Sequence, residues 1–170
     1  MNLRRLLPVF LLAAGMLAAL AANPMTLDDY LALNGPAPTA HLAYGPAPSQ
    51  YAELFLPQGS GPFPVAVLVH GGCWTSKFGG ITQLRNMAGA LAARGIAVWN
   101  VEYRRSDEAG GGYPGTYQDM HAALELLASQ APARKLDLKR LVAVGHSAGG
   151  QLVQWMAGRA RIPASSPLYR

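Results

Sequence analysis

At 170 residues, with 51% hydrophobic and 14% charged residues, the chain has the length and composition of one folded domain, which excludes a disordered tail. The formal charge of +5 includes Arg4 and Arg5 of an apolar leader. The other basic residues form scattered pairs such as Arg104–Arg105 and Lys139–Arg140, with no stripe and no interleaved aromatics, so no nucleic-acid partner is expected.

Residues 1–21 have a basic start, an apolar run from Leu6 to Leu20 and the small-residue pattern Ala19-Leu20-Ala21. They read as a signal peptide cleaved after Ala21 or Ala22, giving a secreted or periplasmic product with no stable membrane insertion. The alternative is an uncleaved membrane anchor, since the run approaches the lower limit of about 17 residues for a span. Cys73 is the single cysteine, so export brings no intramolecular disulfide.

Residues 22–50 are rich in Pro, Ala and Gly and predict an extended lead-in with turns rather than long helices. Tyr51 to Leu56 reads as a short edge strand closed by Pro57, and Gln58 to Pro64 as a loop. Val65-Ala66-Val67-Leu68-Val69 is an unbroken apolar run, the pattern of a strand buried on both faces of a parallel sheet. Ile81, Leu84, Ala88 and Leu91 follow at helical spacing, with Arg94-Gly95 as the stop.

Ile96 to Val101 is a second buried strand, followed by the loop Gly110-Gly111-Gly112 and a helix from about Thr116 to Ser129. Leu141-Val142-Ala143-Val144 is the third buried strand, and Gln151 to Arg159 the last helix. Alternating strands and helices predict an α/β fold with a mostly parallel sheet covered by helices on both faces. The domain runs over 51–162, and 163–170 form an irregular tail.

Gly145-His146-Ser147-Ala148-Gly149 matches G-x-S-x-G between a buried strand and a helix. A serine there sits on a sharp turn that exposes its hydroxyl, and small residues two places on either side let strand and helix approach. The first helical amides face any anion that develops nearby. The first buried strand ends similarly: His70-Gly71-Gly72-Cys73-Trp74 follows Val69 and can present bare backbone N–H groups. Ser147 is the candidate nucleophile, and the N–H of Ala148 with one or two amides from Gly71 to Cys73 would make an oxyanion hole. Trp74 and Tyr103 are candidates for lining a substrate pocket, with core packing as the alternative for each.

These two motifs, with Tyr103-Arg104, Tyr113-Pro114 and Asp119, resemble the esterase and lipase branch of the α/β-hydrolases, near the carboxylesterases and kynurenine formamidases with an HGG-x-W loop. The resemblance covers about Tyr51 to Gly158. It implies a small-molecule ester substrate, an acyl-enzyme on Ser147, oxyanion donors from Gly71, Gly72 and Ala148, a structural His70 that orients the loop, and an Asp119 that caps or braces its helix. No cofactor and no metal are implied, since the four histidines and one cysteine show no ligand spacing.

In this fold the chain order is Ser, then Asp or Glu, then His. Residues 148–170 contain no Asp, Glu or His. His41, His70, His121 and His146 all precede the serine and read as structural or surface histidines. The chain is therefore expected to be a C-terminally truncated hydrolase, close to inert by itself, because an incomplete triad retains only residual catalysis. An arylformamidase-like amidase and a non-catalytic, degenerate relative are the alternatives.

Overall fold

Two of the three apolar runs read from the sequence, Val65–Val69 and Ile96–Val101, lie side by side inside a five-stranded sheet. The structure is a computed structural model that describes residues 24–168. The leader at 1–21 and its cleavage point lie outside the described residues. The chain divides into two units, 1–32 and 33–170. Of the first, the described part holds a short helix α1 (Leu27–Leu31). Thr26 caps it: its hydroxyl accepts from the Asp29 N–H at 3.1 Å, while Asp29 accepts from the Thr26 N–H at 3.0 Å.

In the second unit the strands are β1 (Ala40–Ala43), β2 (Tyr51–Phe55), β3 (Phe63–Val69), β4 (Ala97–Val101) and β5 (Leu136–Gly145). The helices are α2 (Arg85–Ala92), α3 (Gly115–Gln130) and α4 (Ala148–Gly158). The sheet order is β1-β2-β4-β3-β5. β3 runs parallel to β4 and β5, whereas β1 pairs antiparallel with β2, and β2 antiparallel with β4.

Period-2 alternation divides the central strands between two cores. Val65, Val67, Val69, Trp99 and Val101 face α3 and α4 together with Met120 and Leu152. Ala66, Leu68 and Val98 face Leu84, just ahead of α2, and Ala88 on α2. Helices thus cover both faces, as expected, and Trp99 also donates its indole N–H to the Ala123 carbonyl at 3.2 Å.

Several expectations are corrected. The Pro-rich segment contains β1, so Tyr51–Phe55 is not an edge strand: it is bonded on both sides. The loop expected to run to Pro64 ends earlier, because Phe63 already begins β3. The segment from Ile81 opens as a 3₁₀ turn, Ile81–Leu84, before α2 starts at Arg85. β5 is longer than its apolar run and is not buried: Leu141, Val142 and Val144 are 40%, 55% and 41% exposed. Among the described residues its outer edge has no partner strand.

Candidate active site

Parallel pairing of β3 with β5 sets Val69 opposite Gly145, so the two glycine motifs leave the sheet from adjacent strand ends. Carboxyl ends of neighbouring parallel strands are where open α/β sheets collect ligands. The corner after Gly145 is tight. His146 donates its N–H to the Val69 carbonyl at 3.1 Å, and the N–H groups of Gly149 and Gly150 bond back to His146 and Ser147, each at 2.9 Å.

Between these bonds Ser147 is held at φ 51°, ψ −116°, a strained conformation for a residue with a side chain. Ser147 is exposed, while Ala148 behind it is buried at the first position of α4. Space explains the glycines that flank it. A Cβ on Gly145 would collide with the Gly149 carbonyl, and one on Gly149 with the carbonyls of Val69 and His70.

The glycine loop turns sharply. Gly72 has φ 121°, and Cys73 and Trp74 follow at φ 51° and 56°. Thr75 closes the turn by donating its N–H to the Gly72 carbonyl at 2.9 Å. Gly71 lies directly against the serine corner, since a Cβ there would stand 2.7 Å from Nδ1 of His146 and 3.1 Å from the Cβ of Ser147. Among the described residues the N–H groups of Gly71, Gly72 and Cys73 donate to no acceptor. Ser147, Gly71 and Ala148 are therefore brought together, with Gly72 next in the loop.

The structure separates the two pocket candidates. Trp74 is 36% exposed and, with Cys73, Ser106, Tyr113 and Tyr117, lines a hollow of about 250 Å³ beside the loop. Its carbonyl is anchored by the N–H and the hydroxyl of Ser106, both at 2.8 Å. Tyr103 is fully buried and does not line this hollow; its ring stacks on His70 at 4.4 Å, and its hydroxyl donates to the His70 carbonyl at 2.9 Å. A larger hollow of about 670 Å³, lined among others by Tyr44, His121, Glu125 and Trp155, takes no residue from either glycine motif.

His70 is buried beneath the loop. Its Nδ1 donates to the Gly71 carbonyl and its Nε2 to Oε1 of Glu102, each at 2.7 Å. Glu102 also accepts from the backbone N–H groups of Tyr103 and Ile81, both at 3.0 Å. Burial pushes the Glu102 carboxyl up, but the hydrogen bond and charge of His70, the Arg105 guanidinium and the Ile81 amide outweigh it, leaving it below its ordinary value. Sequence reasoning missed Glu102. One acid between Val101 and Tyr103 has no spacing signal; the only hint was a charge placed directly after a buried strand.

Asp119 braces rather than caps. Its carboxylate accepts from the Arg104 backbone at 2.9 Å, from the Arg104 guanidinium and from Nε2 of Gln50 at 2.7 Å, tying α3 to the end of β4. None of the histidines presents a free base to the serine. Both ring nitrogens of His70 are occupied; His41 lies on β1, at the opposite edge of the sheet from β5. His121 sits on α3 near Glu125, and the ring of His146 is turned to Gly71. Among the described residues no three His, Cys, Asp or Glu side chains cluster as metal ligands, and no helix is long and apolar enough to cross a membrane.

A family model described as BD-FAE matches residues 52–162. Carboxylesterase NlhH of Mycobacterium tuberculosis is 36% identical over 107 residues, covering 62% of this chain and 32% of the relative. The chain thus spans about a third of the length of the curated relatives it matches. Among solved structures, a bacterial heroin esterase superposes with a TM-score of 0.58 at 30% identity, covering 65% of this chain and 35% of that one. Esterase B from Lactobacillus rhamnosis gives 0.61 at 26% identity, covering 88% and 47%.

Proposed function

The chain belongs to the BD-FAE family and has the α/β-hydrolase fold of its esterase relatives, and from that premise we propose that it carries the nucleophile and oxyanion site of a serine carboxylic-ester hydrolase. The observation that supports this most directly is Ser147, exposed at a strained positive φ on the end of β5 and packed against Gly71.

In this reading the Ser147 hydroxyl attacks the ester carbonyl and loses its proton to a general base. The carbonyl oxygen becomes an anion that accepts from the N–H groups of Gly71, Gly72 and Ala148. Collapse expels the alcohol and leaves an acyl group on Ser147, which water removes in a second pass through the same oxyanion site. Trp74 contacts the substrate from the adjoining hollow.

Residues 148–170 supply neither a carboxylate nor a histidine, so the 170-residue chain by itself turns esters over only at the residual level an oxyanion site sustains. The leader-like residues 1–21 direct export in the same reading. Incubation with a fluorophosphonate followed by peptide mass spectrometry is the test. Slow modification confined to Ser147 and lost in Ser147→Ala supports the assignment. Rapid modification of Ser147 would reveal an unassigned base, and modification elsewhere, or none, removes the nucleophile.

A further inference from the structure

We propose that Glu102 and Tyr103 are positioning residues that aim the N–H groups of Gly72 and Gly71 at the oxyanion, an inference that rests on the hydrolase reading of Ser147. Peptide planarity links the two ends of each unit. In a trans peptide the C=O and the next residue's N–H point in opposite directions, so fixing one fixes the other. Both peptide bonds after His70 and Gly71 are trans.

The Gly71 carbonyl, which shares its peptide plane with the Gly72 N–H, is drawn to Nδ1 of His70 at 2.7 Å. The ring that holds it is locked in turn. Nε2 of His70 donates to Oε1 of Glu102 at 2.7 Å, and the ring lies flat on Tyr103, with 9° between the planes. The His70 carbonyl shares its plane with the Gly71 N–H and is fixed by the Tyr103 hydroxyl at 2.9 Å. Two consecutive residues at the end of β4 therefore control two consecutive amides at the end of β3, each through a hydrogen bond to the opposite end of the same peptide unit.

A carboxylate is required at position 102. Oε1 accepts from His70 and from the Tyr103 N–H, Oε2 accepts from the Ile81 N–H, and Arg105 stands 3.4 Å from Oε1. An amide in either orientation would place an NH2 group against one of the two backbone N–H donors. Tyr103 has a different chemistry. Phenylalanine would keep the ring on His70 and remove only the hydroxyl, leaving a folded protein with one carbonyl released.

The experiment measures hydrolysis of 4-nitrophenyl acetate by the 170-residue chain, whose residual rate comes from the oxyanion site itself. Amide ¹H–¹⁵N spectra are recorded alongside. Tyr103→Phe and Glu102→Gln should each lower kcat about tenfold or more with KM within about twofold, since donors that no longer point at the oxyanion act only in the transition state. Glu102→Asp should fall between wild type and Glu102→Gln. In the spectra Tyr103→Phe should displace the Gly71 amide and Glu102→Gln the Gly72 amide, with the amides of β3 and β4 unmoved.

Either folded variant retaining kcat within twofold, or leaving its own glycine amide in place, overturns the assignment. If wild-type turnover does not exceed that of Ser147→Ala, the nucleophile is wrong, and the two glycine amides still decide the positioning. If Glu102→Gln does not fold, Tyr103→Phe and Glu102→Asp carry the same readouts.

Discussion

Gly71 packs against Ser147 so closely that a methyl group in place of its hydrogen would stand 3.1 Å from the serine Cβ and 2.9 Å from the His146 carbonyl. Gly71→Ala must push the loop off the corner. The substitution should lower residual ester turnover at least tenfold and destabilise the fold by about 1–3 kcal/mol, the usual range for overpacking. Urea unfolding and 4-nitrophenyl acetate kinetics on one preparation check both numbers.

Ser147→Gly should do the reverse to stability. A side chain at φ 51°, ψ −116° stores about 1 kcal/mol or more, which glycine releases while adding back some unfolded-state entropy. The variant should melt about 2–4 °C higher and lose all fluorophosphonate labelling. Thermal melting followed by circular dichroism measures the first effect; a lower melting point would show that the corner is not strained.

Asp119 is 1% exposed and answers donors from Arg104 and Gln50. Asp119→Ala leaves both unanswered beneath α3, and such breaks cost about 3 kcal/mol or more. The midpoint of a urea transition should fall accordingly, without any change in the pH dependence attributed below to Glu102.

Glu102 is held below its ordinary value of 4.5 in the folded chain. A depressed carboxyl stabilises the fold above its unfolded value, and that contribution is lost as pH falls through the lower, folded value. The Glu102 contribution to the melting temperature should be constant well above its ordinary value of 4.5 and be lost as the solution is acidified below it. In Glu102→Gln this part of the acid slope should be missing. An unchanged slope would mean that other carboxylates dominate it.

Val142 is 55% exposed on β5, whose outer edge has no partner strand among the described residues, beside exposed Leu141 and Val144. Open edges with apolar side chains recruit other chains. Val142→Lys should reduce self-association in light scattering while changing stability by about 0.5 kcal/mol or less, as is usual at exposed positions.

Much of this architecture could be read from the sequence because its signals are local. Val65–Val69 and Ile96–Val101 announce buried strands by unbroken apolar runs, and Gly145–Gly149 announces its corner by the small residues that steric crowding demands. β1 was hidden because Ala40-His41-Leu42-Ala43 is short and lacks β-branched residues, and missing it turned β2 into an apparent edge. The exposure of β5 was hidden for another reason: an apolar run reports what a strand can bury, not whether neighbours are there to bury it.

The site was half visible. Ser147 and the Gly71–Gly72 pair follow from motif spacing, but the supports beneath them come from β4, and no period links Glu102 or Tyr103 to a loop thirty residues earlier. Tyr103 illustrates the ambiguity: a large aromatic beside a site can line it or underpin it, and only the position of its hydroxyl distinguishes the two.

The pairing of Val69 with Gly145 also bears on how the molecule comes into being. The chain lays down two helices and a strand between these residues, so the two corners meet only through a long-range pairing. Such pairings form slowly, because distant segments must meet before any bond rewards them. The glycine loop therefore lacks the serine corner it packs against until β5 has docked beside β3.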